Sequence, residues 1–355
     1  MREFVINTND GGQRLDKFIT KTLKGLPVSL MYKFIRTKRI KVNGKRAEQK
    51  QMLVAGDTVQ MYIPDEFFTT ETADNELGRA HVKLDIVYED ENILLCNKRP
   101  GVLSHTGDKD ESGSDKVSER ETLIFQIQAY LYQKGEYDPE AEHSFAPALC
   151  NRIDRNTGGI VIAAKNAETL REMNEQIRLG NVHKSYLCAV HGRMERPSAT
   201  LRDYLFKNTK TKTVRVLSHP TRGAKEIITA YRTLGYSEAQ DLSLLEVDLM
   251  TGRTHQIRAH MASIGHPLLG EGKYGVNKND RALGYSYQAL YSYKLRFTVP
   301  GGHLAYLNDR TFSVPLTDVR FLEFFRLGDV KKKLEKNEKS QFDIVFPDYD
   351  NVFDK

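Results

Sequence analysis

Residues 151–165 read NRIDRNTGGIVIAAK, in which a charged segment is followed directly by a run of β-branched and small apolar residues. Such a run predicts a buried strand, so the charged segment lies in a loop that enters a sheet. A loop that ends on a rigid sheet is a favourable place for functional groups. Asp154 stands in this loop between Arg152 and Arg155. Nearby cations favour an ionised carboxylate, which a nucleophile or base requires, although a turn aspartate paired with its neighbours would have the same pattern.

The rest of the chain predicts an α+β fold around this strand. At 355 residues the chain is too long for one ordinary domain, and 39% of its residues are apolar, enough for a substantial core. Strand patterns at 86–97, 182–190 and 244–249 mix with helical patterns without a regular βαβ cadence. This mixture favours an α+β domain over a doubly wound parallel sheet.

Composition argues against several classes of protein. The three cysteines, Cys96, Cys150 and Cys188, are widely spaced and form no CxxC pair, so neither a disulfide framework nor a structural zinc site is expected. The sequence has no N-terminal apolar stretch of the signal-peptide type and no apolar run of roughly 18 residues or more. We therefore expect a cytoplasmic protein with no membrane span.

The positive charge is concentrated near the N-terminus. Between Gly11 and Ile63 there are twelve basic and three acidic residues, a net charge of +9, whereas the whole chain carries +6. Such concentration indicates a polyanionic partner, with RNA or DNA favoured over a membrane surface. A well-solvated basic surface without a partner is the alternative that charge alone leaves open.

This basic module has the pattern of two helices followed by a hairpin. Apolar residues at i, i+3, i+4 and i+8 predict the buried face of a first helix: Leu15, Phe18, Ile19 and Leu23. Residues 25–27 read GLP and end it, and Ser29 is predicted to cap a second helix that runs through Ile35. Asn43-Gly44 after an alternating stretch predicts a hairpin turn, and residues 58–63 predict another strand.

Residues 14–17 (RLDK) and 41–44 (KVNG), placed in this pattern, resemble the ribosomal-protein S-four-type RNA-binding domain, and the resemblance covers residues 12–63. In that family the second helix and the following turn face the RNA backbone. The resemblance therefore implies phosphate contacts, which position a protein without reading sequence. The implied RNA-binding residues are Arg14, Lys17, Lys33, Arg36, Lys38, Arg39, Lys41 and Lys45.

The sequence divides into four predicted parts. Residues 1–63 form the RNA-binding module, and 64–82, acidic and without periodicity, are predicted to be a mobile linker. Residues 83–330 form the larger domain, within which 107–119 is a polar surface loop. Residues 331–355 form a charged tail with helical potential.

Two further segments of the larger domain carry candidate functional groups. Tyr186 lies in the alternating stretch 182–190, where a tyrosine either packs in the core or stacks on a nucleic-acid base. Residues 251–260 read TGRTHQIRAH and begin a predicted helix. The histidines in and after this segment are His255, His260 and His266. Their spacings of five and six residues do not share a helix face, so no metal site is expected.

Together these segments resemble the RluA/RluC/RluD-type RNA pseudouridine synthases. The resemblance covers residues 84–326 and rests on separated motifs in the family's order: YEDE at 88–91 with NKRPG at 97–101, RIDR at 152–155, KSY at 184–186 and GRTHQIR at 252–258. It implies the pseudouridine synthase fold, a mixed, mainly antiparallel central sheet with flanking helices and loops, joined here to a small α/β S-four-like module.

The resemblance also implies roles for particular residues. Asp154 matches the essential catalyst of the family, and Arg258 matches the arginine that pairs with it. Tyr186 matches the tyrosine that stacks on the uracil and could assist removal of its ring proton, and Arg152 is implied to fill the space of the flipped base. Neighbouring motif residues are expected to bind substrate as well, namely Arg155, Thr157, Lys184 and Gln256.

The implied reaction breaks a glycosidic carbon–nitrogen bond, turns the uracil and rejoins it through carbon. All atoms stay in the substrate, so no cofactor is expected. The uridine must leave its stack, which costs a few kcal/mol and favours loops over duplex. Asp154 could attack the anomeric carbon, as in retaining glycosidases, or remove a sugar proton, and the sequence leaves both open. A glycoside hydrolase would require a second, acidic carboxylate that the motifs do not supply.

The expected substrate is structured RNA, namely large-subunit ribosomal RNA or its precursor, with transfer RNA as the second choice, and the protein is expected to act as a monomer. The competing interpretation is a non-catalytic RNA-binding or ribosome-assembly protein, in which the site motifs would have no purpose. Asn151, Ile153 and Gly159 depart from the residues that the family usually has, so substrate choice cannot be taken over from its better-known members.

Overall fold

A computed structural model describes residues 1–68, 74–106, 119–208, 213–275 and 278–340. The polar loop predicted at 107–119 lies outside these residues except for its last position, and so does the end of the charged tail.

The N-terminal module contains two helices and short strands. Its elements are β1 (Arg2–Val5), β2 (Gln13–Arg14), α1 (Leu15–Thr22), α2 (Val28–Arg36), β3 (Ile40–Val42), β4 (Lys45–Arg46), β5 (Met52–Leu53) and β6 (Thr58–Met61). Four strands form an antiparallel sheet in the order β1-β6-β3-β4, and β2 pairs separately with β5. The predicted order of two helices and a hairpin is therefore confirmed.

The apolar face of α1 forms the core of this module. Leu15, Phe18 and Ile19 are fully buried in one cluster with the apolar residues of α2. The hairpin turn has positive φ angles at Asn43 (51°) and Gly44 (73°), the conformation that an Asn-Gly pair adopts between two antiparallel strands.

The predicted helix cap at Ser29 is wrong. The second helix, α2, begins one residue earlier, at Val28, and Pro27 occupies the cap position without a side-chain hydrogen bond. Pro27 has φ of −59°, which its ring fixes near the value a helix needs, so the chain enters the helix before Ser29 can cap it. Ser29 is exposed within the first turn.

The described residues of the connector between the two parts include two short helices that pack on the protein. These are a 3₁₀ helix (Asp65–Phe68) and the helix α3 (Asp74–Arg79). Phe68 is buried in the core of the N-terminal module, and Leu77 is buried against the larger domain beside Phe125. The mobility expected of this linker stays a prediction, whereas the burial of Phe68 and Leu77 anchors an otherwise polar segment at its two ends.

The larger part is built on one extensive sheet. Its strands are β7 (Ile86–Glu89), β8 (Ile93–Lys98), β9 (Ala148–Leu149), β10 (Gly158–Ala164), β11 (Val182–His191), β12 (Ser198–Asn208), β13 (Thr213–Leu217), β14 (Lys225–Ser237), β15 (Leu242–Leu249), β16 (Leu290–Phe297) and β17 (Thr311–Ser313). The strand order is β13-β12-β14-β15-β11-β16-β10-β8-β7, with β9 beside β10 and β17 beside β16. Among the strands that the structure describes, β10 and β16 are the one parallel pair, so the predicted α+β fold with a mainly antiparallel sheet is confirmed.

The strand that follows Asp154 is buried on both faces. In β10, Ile160 and Ile162 belong to the core on one side of the sheet, whereas Val161 and Ala163 belong to the core on the other side. Because successive side chains of a strand point to opposite faces, a strand covered on both sides needs an unbroken apolar run. This explains the sequence pattern of the segment.

Helices cover the two faces of the sheet. They are α4 (Leu123–Gln133), α5 (Ala167–Arg178), α6 (Gln256–Ser263) and α7 (Leu327–Ser340). The predicted boundary between the larger domain and the tail falls inside α7, which packs on the core through Val330 and Leu334. Within the described part of the chain, no helix is long and apolar enough to cross a membrane.

Gly159 provides a test of how closely β10 and β16 approach. Its φ is +117°, and a Cβ atom at this position would lie 2.1 Å from the backbone oxygen of Ser292. We expect Gly159→Ala to lower the free energy of unfolding by at least about 3 kcal/mol, because the clash involves backbone that cannot turn away. Urea denaturation followed by circular dichroism measures the change.

The matched control for this substitution is Gly25→Ala, since a Cβ atom there meets nothing within 4 Å. The control should change the free energy of unfolding by less than about 1 kcal/mol. Equal stabilities of the two variants would contradict the close approach of the two strands.

Candidate active site

The loop 151–157 is fixed to the neighbouring strand β8 by a buried lysine. The Nζ of Lys98 donates hydrogen bonds to the carbonyl of Arg155 at 2.8 Å and to that of Val102 at 2.9 Å. Lys98 is 1% exposed, and this burial lowers its pKa to about 7. Buried amines are retained where their hydrogen bonds are satisfied, so Lys98 holds the loop that carries Asp154 in one position.

Asp154 meets an arginine from α6 that is itself held by a second carboxylate. The Nη1 of Arg258 donates to Oδ2 of Asp154 at 3.1 Å. Its Nε and Nη2 donate to Oε2 and Oε1 of Glu271, each at 2.8 Å, in a bidentate pair. Arg258 is 5% exposed and Glu271 is 2% exposed, whereas the side chain of Asp154 is 28% exposed. The guanidinium therefore links a buried carboxylate to an accessible one.

The charges of this cluster stabilise one another. Burial by itself would lower the pKa of Arg258, but hydrogen bonds and charge from Glu271, together with Asp154, raise it above its usual value. Burial opposes ionisation of Glu271 too, and Arg258 more than offsets that effect, so the pKa of Glu271 is lowered. Both partners are consequently charged at neutral pH, as a buried ion pair requires.

A histidine and a tyrosine complete the side of the site formed by α6. His255 precedes the helix with a left-handed φ of 55°, and its Nε2 lies 3.9 Å from Oδ2 of Asp154. Its Nδ1 is hydrogen-bonded to the hydroxyl of Tyr274 at 2.6 Å. The ring of Tyr274 also lies 5.5 Å from the guanidinium carbon of Arg258, within the range of a cation–π contact.

Tyr186 enters the site from the central strand β11. It is 6% exposed and belongs to the same apolar cluster as Ile153 of the loop and Ile257 of α6. Burial, reinforced by the charge of Asp154 and opposed by a hydrogen bond with Ser292, raises the pKa of Tyr186 to about 12. Two residues before it lies Lys184, whose pKa is lowered by burial.

The remaining arginines and the threonine of the loop differ in their surroundings. Arg152 is exposed beside Asp154, whereas Arg155 is half-buried and its Nε donates to the carbonyl of Gly101 at 3.0 Å. Thr157 is buried, and its hydroxyl accepts a hydrogen bond from Nε2 of Gln288 at 3.2 Å. The structure thus brings Arg152 to the open side of the site, while the other two brace the loop.

The structure does not support the predicted substrate contact of Gln256. Its Oε1 accepts hydrogen bonds from the Thr251 hydroxyl at 2.9 Å and from the Arg253 backbone at 3.0 Å. Its Nε2 donates to the carbonyl of Ile228 at 3.1 Å and to the hydroxyl of Thr229 at 3.0 Å. Because a glutamine amide has two donor hydrogens and two acceptor lone pairs, these four bonds occupy all of its hydrogen-bonding positions. Gln256 therefore anchors the start of α6 to β14.

Residues predicted to bind RNA lie on the surface of the N-terminal module. The exposed ones are Lys17, Lys33, Arg36, Lys38, Arg39 and Lys45. Arg14 pairs with the carboxylate of Asp16, and Lys41 is half-buried with its Nζ 5.4 Å from the centre of the Tyr62 ring. Exposure makes the six available to phosphates, while their contact with RNA stays a prediction.

Sequence reasoning missed Glu271 and the bracing role of Lys98. Glu271 lies thirteen residues after Arg258, beyond the last motif, and no spacing rule pairs the two. A buried partner was nevertheless to be expected, since an arginine held in a partly dry site needs more than one accessible carboxylate. Lys98 belongs to the opening motif, but its three hydrogen bonds to carbonyl oxygens depend on how β8 and the loop meet in space.

The other two histidines have separate protein partners. His260 is fully buried, with Nε2 3.0 Å from Oδ2 of Asp203, and Nδ1 of His266 lies 2.9 Å from the carbonyl oxygen of His191. Among the residues that the structure describes, no group of three or more His, Cys, Asp or Glu side chains is arranged to hold a metal ion.

Two family models match the chain in the places that the geometry singles out. The model for RNA pseudouridylate synthase matches residues 92–263, and that for the S4 domain matches residues 13–59. The first match includes both Asp154 and Arg258.

Relatives with curated descriptions match most of the chain. It is 31% identical to the ribosomal large subunit pseudouridine synthase C of Buchnera aphidicola over 281 residues, which are 78% of this chain and 81% of that protein. It is 30% identical to the protein of the same description from Escherichia coli K12, over 83% of this chain and 88% of the relative. The chain therefore belongs to the RNA pseudouridylate synthase family.

A solved structure agrees with this assignment at the level of the fold. The human RNA pseudouridylate synthase domain containing 4 protein has a TM-score of 0.50 and 18% identity, over 68% of this chain and 92% of the human one. The protein is accordingly an RNA pseudouridine synthase, an isomerase that carries an S-four-like RNA-binding module. This favours the enzyme over the non-catalytic RNA-binding protein that the sequence left as its competitor.

Because the Arg258–Glu271 pair is buried, replacing Glu271 with the nearly isosteric glutamine should strongly lower the stability of the protein. We expect Glu271→Gln to lower the free energy of unfolding by about 3 kcal/mol, because it leaves a buried guanidinium without its charged partner. Chemical denaturation at neutral pH gives this number.

The exposed pair of Glu175 and Arg178 on α5 supplies the control for this prediction. Glu175→Gln removes the same charge from a solvated surface and should cost no more than about 0.5 kcal/mol. A Glu271→Gln variant as stable as this control would show that the pair does not support the site.

Proposed function

We propose that this enzyme converts uridines of large-subunit ribosomal RNA to pseudouridine, with Asp154 as the catalytic carboxylate. The observation that carries the assignment of Asp154 is its hydrogen bond with Arg258. Arg258 and Glu271 are buried, whereas the Asp154 side chain at the end of this cluster is partly exposed. The choice of RNA rests on the curated relatives, whose descriptions name the ribosomal large subunit. Transfer RNA is the second choice.

The arrangement around Asp154 suits a carboxylate that acts on a sugar. Arg258 stabilises its negative charge, and the exposed part of the side chain leaves room for a flipped nucleotide. An ionised carboxylate could attack the anomeric carbon or remove a sugar proton, and both routes use the same arginine contact. In either route Glu271 keeps Arg258 oriented, so that the guanidinium presents Nη1 to Asp154.

Tyr186 is proposed to contact the flipped uracil, and Arg152 is proposed to fill the space that the uracil leaves in the RNA stack. A phenol with a pKa of about 12 keeps its proton at neutral pH, which supports stacking of the Tyr186 ring on the uracil over proton removal by its phenolate. Arg152 is exposed next to Asp154, where its side chain can enter the stack that the uridine leaves. Arg155, Thr157 and Lys184 are proposed to support substrate binding around these two.

The N-terminal module is proposed to hold the RNA backbone through the exposed cations of α2 and the residues after it. Arg36 and Lys38 lie at the end of this helix, without an acidic neighbour in residues 28–42. Contacts of this kind add affinity and salt dependence, whereas the choice of uridine is left to the RNA structure that reaches Asp154.

We also propose that the enzyme acts in the cytoplasm and as a monomer. The three free cysteines and the ribosomal relatives support the compartment. Fractionation of cells and light scattering of the purified protein test the two statements separately.

The role of Asp154 is tested by Asp154→Asn. We expect turnover to fall at least about 1000-fold, because the amide can neither attack the sugar nor accept its proton, while RNA affinity changes by less than about threefold. Release of tritium from RNA labelled at C5 of uridine follows the reaction, since carbon–carbon bond formation displaces that hydrogen.

Asp65→Asn on the exposed connector is the matched control and should react like the unaltered enzyme. Turnover by the Asp154→Asn variant would overturn the assignment. Pseudouridine mapping in cells with and without the gene tests the substrate, and a change confined to transfer RNA would overturn the ribosomal proposal.

The role of the N-terminal module is tested by its salt dependence. The double variant Arg36→Ala, Lys38→Ala should bind ribosomal RNA more weakly, and the slope of log K against log salt concentration should decrease by about 1.5, as two phosphate contacts are lost. Filter binding between low and moderate salt gives the slope. Lys331→Ala, Lys332→Ala removes two exposed cations from α7 instead and should leave the slope unchanged. Equal slopes for both double variants would reject the contact.

A further inference from the structure

The N-terminal module is attached to the larger domain by a buried polar contact centred on Asp10. This residue is fully buried, and its Oδ1 accepts hydrogen bonds from the backbone N–H of Ser144 at 2.8 Å and from the Ser144 hydroxyl at 2.6 Å. The Nε2 of Gln13, two residues before α1, donates to the same hydroxyl oxygen at 2.6 Å. The serine thus sits between two side chains of the module.

A second contact joins the module to the start of α5. The Nδ2 of Asn9 donates to Oε1 of Glu142 at 2.6 Å, and its Oδ1 accepts from the backbone N–H of Ala167, the first residue of that helix, at 3.0 Å. The Nδ2 of Asn7 donates to Oε2 of Glu142 at 3.1 Å, so that one carboxylate binds two asparagines. We call the six residues Asn7, Asn9, Asp10, Glu142, Ser144 and Ala167 the docking surface.

In the larger domain, the docking surface lies on the two chain segments that flank strand β10, the strand that follows the loop of Asp154. Glu142 and Ser144 precede β9 and the loop that carries Asp154, and Ala167 lies three residues after the end of β10. Strand β10 is in turn the rigid, fully buried element on which that loop ends. The module is therefore joined to the part of the larger domain that positions the reaction.

The contact between the module and the larger domain is mainly polar, and this bears on whether the two domains can move relative to each other. A ring contact accompanies it, in which Phe4 and His143 meet edge to face with their centres 5.2 Å apart. Domain interfaces of polar character permit relative movement unless something specific holds them. Here one oxygen of the buried Asp10 carboxylate, Oδ1, has both of its donors on Ser144 of the larger domain, so other docked arrangements would remove these two hydrogen bonds.

We propose that the docking surface holds the RNA-binding module in one orientation relative to Asp154, and that Asp10 and Ser144 are thereby specificity-determining residues. An RNA that contacts both the module and the active site must match this fixed geometry. The enzyme then does not pay the entropy of ordering two domains when it binds the matching RNA. The RNA part of this inference rests on the proposed function, whereas the fixed orientation does not.

The orientation is tested by a distance measurement in the full-length protein. Spin labels are attached to cysteines introduced at Lys50 of the module and Asn174 of α5, both exposed. The native cysteines are weakly reactive, since Cys96 and Cys188 are buried and burial raises the pKa of Cys150 to about 12. Pulsed electron paramagnetic resonance should give one narrow distance distribution.

Loss of the contact should broaden that distribution. We expect Asp10→Ala and Ser144→Ala to at least double its width, whereas Ser198→Ala, which removes an exposed hydroxyl from β12, should leave it unchanged. Two variants on opposite sides of the contact guard against a local defect in either domain, and circular dichroism confirms that each is folded. A broad distribution in the unaltered protein, or unchanged widths in both variants, overturns the proposal.

The consequence for specificity is measured with two RNAs that carry the mapped uridine: a long ribosomal fragment and a short stem-loop that spans only the active site. For Ser144→Ala, KM for the long RNA should rise at least about threefold with kcat unchanged, and both constants for the short RNA should stay the same. An equal rise for both RNAs would show a distorted active site and overturn the specificity role. If the unaltered enzyme modifies neither RNA, the proposed function fails, while the distance measurement still decides the orientation.

Discussion

The site depends on one buried ion pair, the bidentate contact of Arg258 with Glu271. A guanidinium that is 5% exposed is tolerated because its planar donors meet two carboxylate oxygens at 2.8 Å. The same contact fixes the plane of the group, which leaves Nη1 directed at Asp154. The position of the Asp154 carboxylate thus depends on Glu271, a buried residue that contacts Arg258 and not Asp154 itself.

The supports of this pair come from elements that are distant in the chain. Gln256 and His260 attach α6 to Thr229 of β14, and His260 also contacts Asp203 of β12. On the other side, Lys98 of β8 holds the loop of Asp154. These internal hydrogen bonds fix the positions of Asp154 and Arg258 relative to each other, which is the kind of support that a preorganised site requires.

The two domains contribute different features to the proposed recognition of RNA. The N-terminal module concentrates the positive charge of an otherwise slightly acidic chain, and its cations are on the surface. The larger domain supplies the partly buried cluster around Asp154, which is the proposed site of the flipped nucleotide. Between them lies a polar contact rather than an apolar one, and its hydrogen-bonding pattern defines an orientation more sharply than it adds stability. Affinity and selection of the uridine are thereby coupled through the geometry of the docking surface.

The sequence by itself predicted the strands around Asp154 and the two helices of the module, because local periodicity carries this information. Its motifs, through their family resemblance, singled out Asp154, Tyr186 and Arg258 as candidate site residues. It misplaced the cap of α2 and gave no sign of the two short helices in the connector, since two apolar residues in a polar segment give no pattern. Only the tertiary structure decided that Gln256 is an internal brace, that Glu271 holds Arg258 and that Asp10 meets Ser144. These are contacts between side chains far apart in sequence, and they exist only where the sheet brings those segments together.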